Sequence, residues 1–265
     1  MAYYVHAQRR NYYVEFGQGR PVVLLHGIGN SGRAWSPQIP PLVEAGFRVI
    51  VPDHAGHGAS ARVDAPLRIE DLACDVIALL DHLAIERASI VGLSLGGLIA
   101  IELALTWGAR VERLVLANSF PSTATDAFRT LVEQWASTFR SEDGPVRRFE
   151  GAWPFNVSAS FRASNAAMST WQIWHAIAAT SDGESLARIA QGIVGYDASS
   201  RLVNIAKPVL IIAGGDDCIS PPSIGKKMSA QIPGASFVEI PGAAHISSVD
   251  SALAFNEKTI AFLCA

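Results

Sequence analysis

Short apolar runs alternate with longer amphipathic stretches along most of this chain. Val22–His26, Arg48–Pro52, Ser89–Leu93, Arg113–Asn118, Pro208–Ala213 and Ser236–Ile240 are rich in Val, Ile and Leu. Most lack polar alternation, which predicts strands covered on both faces. Ahead of them, Tyr3–Ala7 and Asn11–Phe16 read as an opening antiparallel hairpin. In Ile69–Leu83, the residues Ile69, Leu72, Val76, Leu79, Leu80 and Leu83 recur at helical spacing and make one buried face. Leu95–Trp107 is largely apolar and follows a strand directly, so it reads as a buried helix that stops at Gly108. The last helix is expected over Val249–Leu263, with Ala252, Phe255, Ile260 and Leu263 as core contacts.

Strands and helices in this order predict a mainly parallel, doubly covered α/β sheet with right-handed crossovers. The alternation breaks between about Ser119 and Asn204. That stretch has no clear strand and carries Trp135, Trp153, Trp171 and Trp174 among several phenylalanines. It reads as an inserted helical cap over residues 119–204, between core segments 1–118 and 205–265.

Composition supports one large core. Of 265 residues, 49% are hydrophobic and only 17% charged, which excludes global disorder. The net charge of −3 and the absence of a basic stripe argue against a nucleic-acid partner. The start, MAYYVHAQRRNYYVEF, has no apolar stretch followed by a small-residue cleavage site. No apolar run approaches the roughly 18 residues needed to span a bilayer. A cytoplasmic protein without a membrane partner is expected. Cys74, Cys218 and Cys264 form neither a disulfide framework nor a zinc pattern, and read as buried or incidental thiols.

The candidate chemistry sits at strand ends. Gly92-Leu93-Ser94-Leu95-Gly96 is a G-x-S-x-G pattern between a strand and a helix. A serine projecting from such a turn is a nucleophile in a strained backbone, and the flanking glycines leave room for it. The turn also sets the Leu95 backbone N–H at a helix N-terminus, where it can stabilise an oxyanion. His26-Gly27-Ile28 ends an earlier strand and can bring the Ile28 N–H to the same point, with His26 shaping the loop.

After a serine of this kind, the acid and then the histidine follow in chain order. Of seven histidines only His245 lies beyond the last core strand, in the small-residue loop Pro241-Gly242-Ala243-Ala244-His245. The loop after Pro208–Ala213 reads Gly214-Gly215-Asp216-Asp217-Cys218-Ile219-Ser220-Pro221. Either aspartate can orient an imidazole. The G-x-x-D-x-x-x-P frame selects Asp217 and leaves Asp216 as a solvated or turn-capping neighbour. Asn118, at the end of another strand, is an amide and cannot supply the charge.

These residues resemble the α/β-hydrolases, and among them the 3-oxoadipate enol-lactonase-like group. The carrying segments are LLHGIGNSGRAW, VPDHAGHGAS, IVGLSLGGLIAIELAL, KPVLIIAGGDDCISPP and IPGAAHISSVDSALAFNEKTIAFL. They cover nearly all of the chain outside the cap. Ala55 stands where the second segment usually has arginine or proline, with His54 beside it. Ser94 argues against dehalogenase-like and epoxide-hydrolase-like members, which carry aspartate there.

The expectation is a cofactor-free and metal-free serine hydrolase acting on a small-molecule ester or lactone. Ser94 attacks, His245 serves as base and then acid, and Asp217 orients it. Leu95 and Ile28 hold the oxyanion, and Trp135 and Trp153 wall an apolar pocket under the cap. Rivals on the same triad are a carbon–carbon bond hydrolase of ring-cleavage products and a perhydrolase resembling cofactor-free haloperoxidases. A non-catalytic ligand receptor on the same fold is the rival from outside enzymology.

Overall fold

Strand residues of this chain bury alternate side chains into two different layers, and that pattern explains the unbroken apolar runs. In the computed structural model, which describes residues 2–265, Val23 and Leu25 enter one core cluster while Val22 and Leu24 enter another. The strands are β1 (Ala2–His6), β2 (Arg9–Phe16), β3 (Arg20–Leu25), β4 (Phe47–Pro52), β5 (Ala88–Leu93), β6 (Val111–Ala117), β7 (Val209–Gly214) and β8 (Ser236–Ile240). They form one sheet in the order β1-β2-β4-β3-β5-β6-β7-β8. Only the β1–β2 and β2–β4 pairings are antiparallel, so β2 alone runs against the rest. All six residues of β5 are buried, as both-face coverage requires.

The core helices are α1 (Ile39–Glu44), α2 (Ile69–His82) and α3 (Leu95–Thr106). Between β6 and β7 come α4 (Asp126–Arg140), α5 (Gly144–Asn156), α6 (Ala159–Arg162), α7 (Asn165–Thr180) and α8 (Gly183–Gly192). The chain closes with α9 (Pro222–Gln231), α10 (Ser247–Asp250) and α11 (Ala252–Cys264). Helices α2, α3 and α9 cover one sheet face through Leu72, Leu98 and Met228. Helices α1 and α11 cover the other through Leu42 and Phe255. Each such side chain, fully buried, stabilises the fold by about 1.5–3 kcal/mol.

Between β6 and β7 a single isolated bridge, Ser122 to Asp197, is the only β pairing among the described residues. Helices α4 and α8 share a small core of their own, with Val132, Phe139 and Leu186. The segment after α8 returns to the main core, where Leu202 and Ile205 are buried.

One helix differs from its sequence expectation. Val249–Leu263 is not continuous, because Ser251 (φ −134°, ψ 41°) breaks it into α10 and α11. The Asp250 carboxylate accepts backbone N–H groups from Ala244 at 2.7 Å and Ser158 at 2.9 Å. Those tertiary bonds hold the short α10 apart from the helix that follows. No helix among the described residues is long and apolar enough to cross a membrane. The three cysteines are unpaired, and Cys218 and Cys264 are exposed rather than buried.

Candidate active site

Parallel strands end together, and the loops beyond their carboxyl ends converge. Ser94 leaves β5, Asp217 follows β7, and His245 follows β8. The Ser94 backbone sits at φ 54°, ψ −114°, a strained conformation for a residue with a Cβ. The surrounding structure enforces it: the Ser94 N–H donates to the Ala117 carbonyl at 3.1 Å, and the Ser94 carbonyl accepts from Ser119 Oγ at 2.9 Å. Glycine is required on both sides. A Cβ at Gly92 would overlap the Gly96 carbonyl, and one at Gly96 would overlap the Leu25 carbonyl of the neighbouring strand.

Three side chains form one hydrogen-bonded row. Ser94 Oγ lies 3.0 Å from His245 Nε2, and His245 Nδ1 lies 3.0 Å from Asp217 Oδ2. With Nδ1–H donating to the carboxylate, Nε2 is free to accept the serine proton. Asp217 is buried, whereas Asp216 is exposed. Burial acts to raise the Asp217 pKa. The hydrogen bond and charge of His245, with the donors Asn118 and Ser220, outweigh that and hold it at about 2.

Sequence reasoning missed part of this network. Asn118, in the left-handed region at φ 46°, donates from Nδ2 to Asp217 Oδ2 at 2.9 Å and to the Ala244 carbonyl at 3.2 Å. Its Oδ1 accepts from Ser247 Oγ. The available signal was an amide at the end of a strand adjacent to β7. Ser220 Oγ donates to the same Asp217 oxygen at 2.7 Å, and the Ile219 and Ser220 N–H groups bond the other oxygen.

The loop after β3 rests on three buried imidazoles. The Gly29 N–H donates to His57 Nε2 at 3.1 Å, and the His54 N–H donates to His26 Nε2 at 3.1 Å. His57 Nδ1 and His26 Nδ1 then donate to the Ala55 and Gly27 carbonyls, and His54 Nε2 to the His26 carbonyl. His26 and His57 each accept at one ring nitrogen and donate at the other, so both are bonded as neutral tautomers. Burial pushes His54 down to about 3 and His57 to about 4, and drives His26 well below its ordinary value. His26 thus shapes the loop that carries Ile28. The sequence signal for its partners was the unusual His54 and His57 in VPDHAGHGAS.

A cavity of about 330 Å³ opens over the row. Ser94, His245 and Ile28 line it together with Trp135, Phe139 and Arg148. The Leu95 N–H belongs to the first turn of α3, whose amides have no partner inside the helix. Trp153, expected as a second wall, does not line the cavity. It packs within the helical segment against Phe149, Phe161 and Trp174, at ring-centroid distances of 5.7, 6.5 and 5.9 Å. The roof is tied to the base: the Ile246 N–H donates to the Asn156 carbonyl at 2.8 Å, and Asp250 links Ser158 to Ala244.

A family model described as the alpha/beta hydrolase fold matches residues 20–252. The chain belongs to that family. This α/β hydrolase is 34% identical over 247 residues to a protein of Variovorax paradoxus (strain S110) named carbamate hydrolase RutD, covering 92% of each chain. Among solved structures, the enol-lactonase from Burkholderia xenovorans LB400 superposes with a TM-score of 0.93 at 28% identity, over 100% of both chains. A thermophilic esterase from Thermogutta terrifontis, solved with malate bound, gives a TM-score of 0.90 at 26% identity, over 96% of this chain and 93% of its own. The fold expected from the sequence, a mostly parallel sheet of the α/β-hydrolase type, is the fold observed, and the protein takes its place among hydrolases.

Proposed function

We propose that this α/β hydrolase cleaves a carboxylic ester or lactone through an acyl-enzyme on Ser94. The observation that carries the reading is the row Ser94–His245–Asp217, with its serine open to the cavity. Ser94 Oγ attacks the carbonyl carbon while His245 Nε2 takes its proton. The N–H groups of Leu95 and Ile28 stabilise the negative oxygen of the tetrahedral intermediate. Collapse breaks the carbon–oxygen bond, and the His245 proton goes to the departing alkoxide. In a lactone that alkoxide stays tethered to the acyl group. Water then attacks the acyl-enzyme, giving its proton to His245; collapse breaks the bond to Ser94 Oγ, which takes that proton back from His245, and the acid is released.

Enol-lactonase and esterase neighbours at TM-scores of 0.93 and 0.90 support the ester or lactone reading. The relative named carbamate hydrolase supports a second one, in which the same attack is made on a carbamate carbonyl. A panel of small esters, enol-lactones, homoserine lactones and carbamates separates them by relative kcat/KM. A fluorophosphonate probe should label Ser94, and Ser94→Ala should lower kcat by about 10⁴-fold or more. Turnover retained in Ser94→Ala would refute the assignment.

A further inference from the structure

We propose that Phe139 is the end wall of an apolar trough in the active-site cavity, and that it sets the length of the aliphatic chain the substrate carries. The first half stands without the ester or lactone reading above; the second rests on it.

Helix α4 turns a stripe of large apolar side chains toward the cavity. Phe128, Leu131, Trp135 and Phe139 recur at spacings of three and four, and all four line it. Val132 and Ala136, on the neighbouring face, are buried against α8 instead. From Phe128 to Phe139 the stripe runs about 16 Å along the helix axis. Exposure falls along it: Leu131 is 37% exposed, Trp135 is half-buried, and Phe139 is only 3% exposed. The trough is therefore open toward the start of α4 and closed at Phe139.

The closed end is thin. Phe139 and Pro145 line the cavity and also a second crevice, open at the surface beside Ser141, Asp143 and Glu184. These two residues are thus the partition between the two spaces. The backbone of the partition is fixed, because a Cβ at Gly144 or Gly183, the first residues of α5 and α8, would overlap the Phe139 carbonyl. On the inner side the ring reaches the oxyanion loop: a Cβ at Gly29 would stand 3.9 Å from Phe139 Cζ.

An apolar trough with one closed end reads chain length. Each methylene moved from water onto such a wall tightens binding about fourfold. The gain stops where the chain meets a packed side chain on a fixed backbone, since the overlap cannot relax. A cavity of about 330 Å³ is at the small end of ligand sites, which span about 300–1,000 Å³, so one aromatic ring at its end decides a sizeable share of its reach.

The test measures binding of the straight-chain alcohols from butanol to decanol, which hold no scissile bond, by calorimetry. The intact protein should bind each longer alcohol more tightly up to a limit, beyond which the gain stops. In Phe139→Ala the limit should move out by about two methylenes, so that the first alcohols past the old limit bind about tenfold more tightly. Phe139→Leu should move it by about one methylene, and decides the matter if the alanine variant does not fold. Val132→Ala removes bulk from the neighbouring face of α4 and should leave the limit in place. No limit in the intact protein, an unmoved limit in the Phe139 variants, or an equal shift in Val132→Ala would overturn the proposal.

Esters test the second half. Over p-nitrophenyl alkanoates and alkyl acetates of rising length, kcat/KM in one of the two series should peak at the alcohol limit and shift with it in Phe139→Ala. If the alcohol limit moves but the intact protein hydrolyses no ester, the wall stands and the hydrolase reading falls. If esters are hydrolysed and neither series follows the limit, hydrolysis stands and the role of Phe139 in substrate choice falls.

Discussion

Asn118 donates its side-chain amide to the very Asp217 oxygen that receives the His245 Nδ1–H, at 2.9 Å and 3.0 Å respectively. The neutral residue at the end of β6 thus works on the acid at the end of β7. Removing it by Asn118→Ala deletes one donor to the carboxylate and strands the Ser247 hydroxyl and the Ala244 carbonyl. Leaving such groups unsatisfied costs about 1–3 kcal/mol, which lowers Tm by several degrees in a chain of this size. We expect kcat to fall about tenfold as well, since orientation of the imidazole is loosened. A Tm loss with unchanged kcat would reduce Asn118 to a structural role. Thermal scans and steady-state kinetics on the same preparation decide between them.

The two adjacent aspartates should separate cleanly. Asp217→Asn keeps the shape of the site but removes the charge and favours the wrong imidazole tautomer, so kcat should drop by about 10⁴-fold. Asp216→Asn changes an exposed side chain and should leave kcat within about twofold. Comparable losses from both variants would mean that the frame-based choice between them is wrong.

Acid should destabilise this protein earlier than its carboxylates alone would. His54 and His57 have pKa values of about 3 and 4 in the fold, against 6.5 for the free side chain. The unfolded chain therefore binds more protons between pH 6.5 and about 4, and stability must rise with pH across that window. Their contribution is complete above pH 6.5 and is lost as pH falls through the folded values. Each histidine adds a slope of up to about 1.4 kcal/mol per pH unit. Asp217, held at about 2, adds a second loss only below pH 4. Urea unfolding at several pH values should show the slope beginning near 6.5. His57→Gln, which can still accept from the Gly29 N–H, should make it shallower. An unchanged slope would remove His57 from the account.

Much of the fold could be read from the sequence because its strands are buried on both faces. Such a strand is an uninterrupted apolar run, as in Val209–Gly214, where all six residues are buried. Short helices were harder. Helices α1 and α9 open on prolines and carry few apolar positions, so periodicity says little there. The break at Ser251 depends on a tertiary bond from Asp250 that no local pattern displays.

The same division holds at the site. Ser94, Asp217 and His245 are legible because strained turns and loop chemistry leave a spacing behind. Asn118 is not, because its role needs β6 beside β7, and an amide there reads only as a missing acid. Aromatic composition marked the helical segment but could not tell Trp135, which meets the cavity, from Trp153, which meets other rings.

The bonds from Asn156 and Ser158 to the His245 loop mean that the roof and the base are not separate modules. A laboratory graft that exchanged residues 119–204 for those of a relative would keep the Ile246–Asn156 and Asp250–Ser158 attachments only where the incoming backbone presents a carbonyl and an N–H at the same two points. New specificity imported that way would arrive with a slack imidazole unless the recipient's anchor points travelled with it.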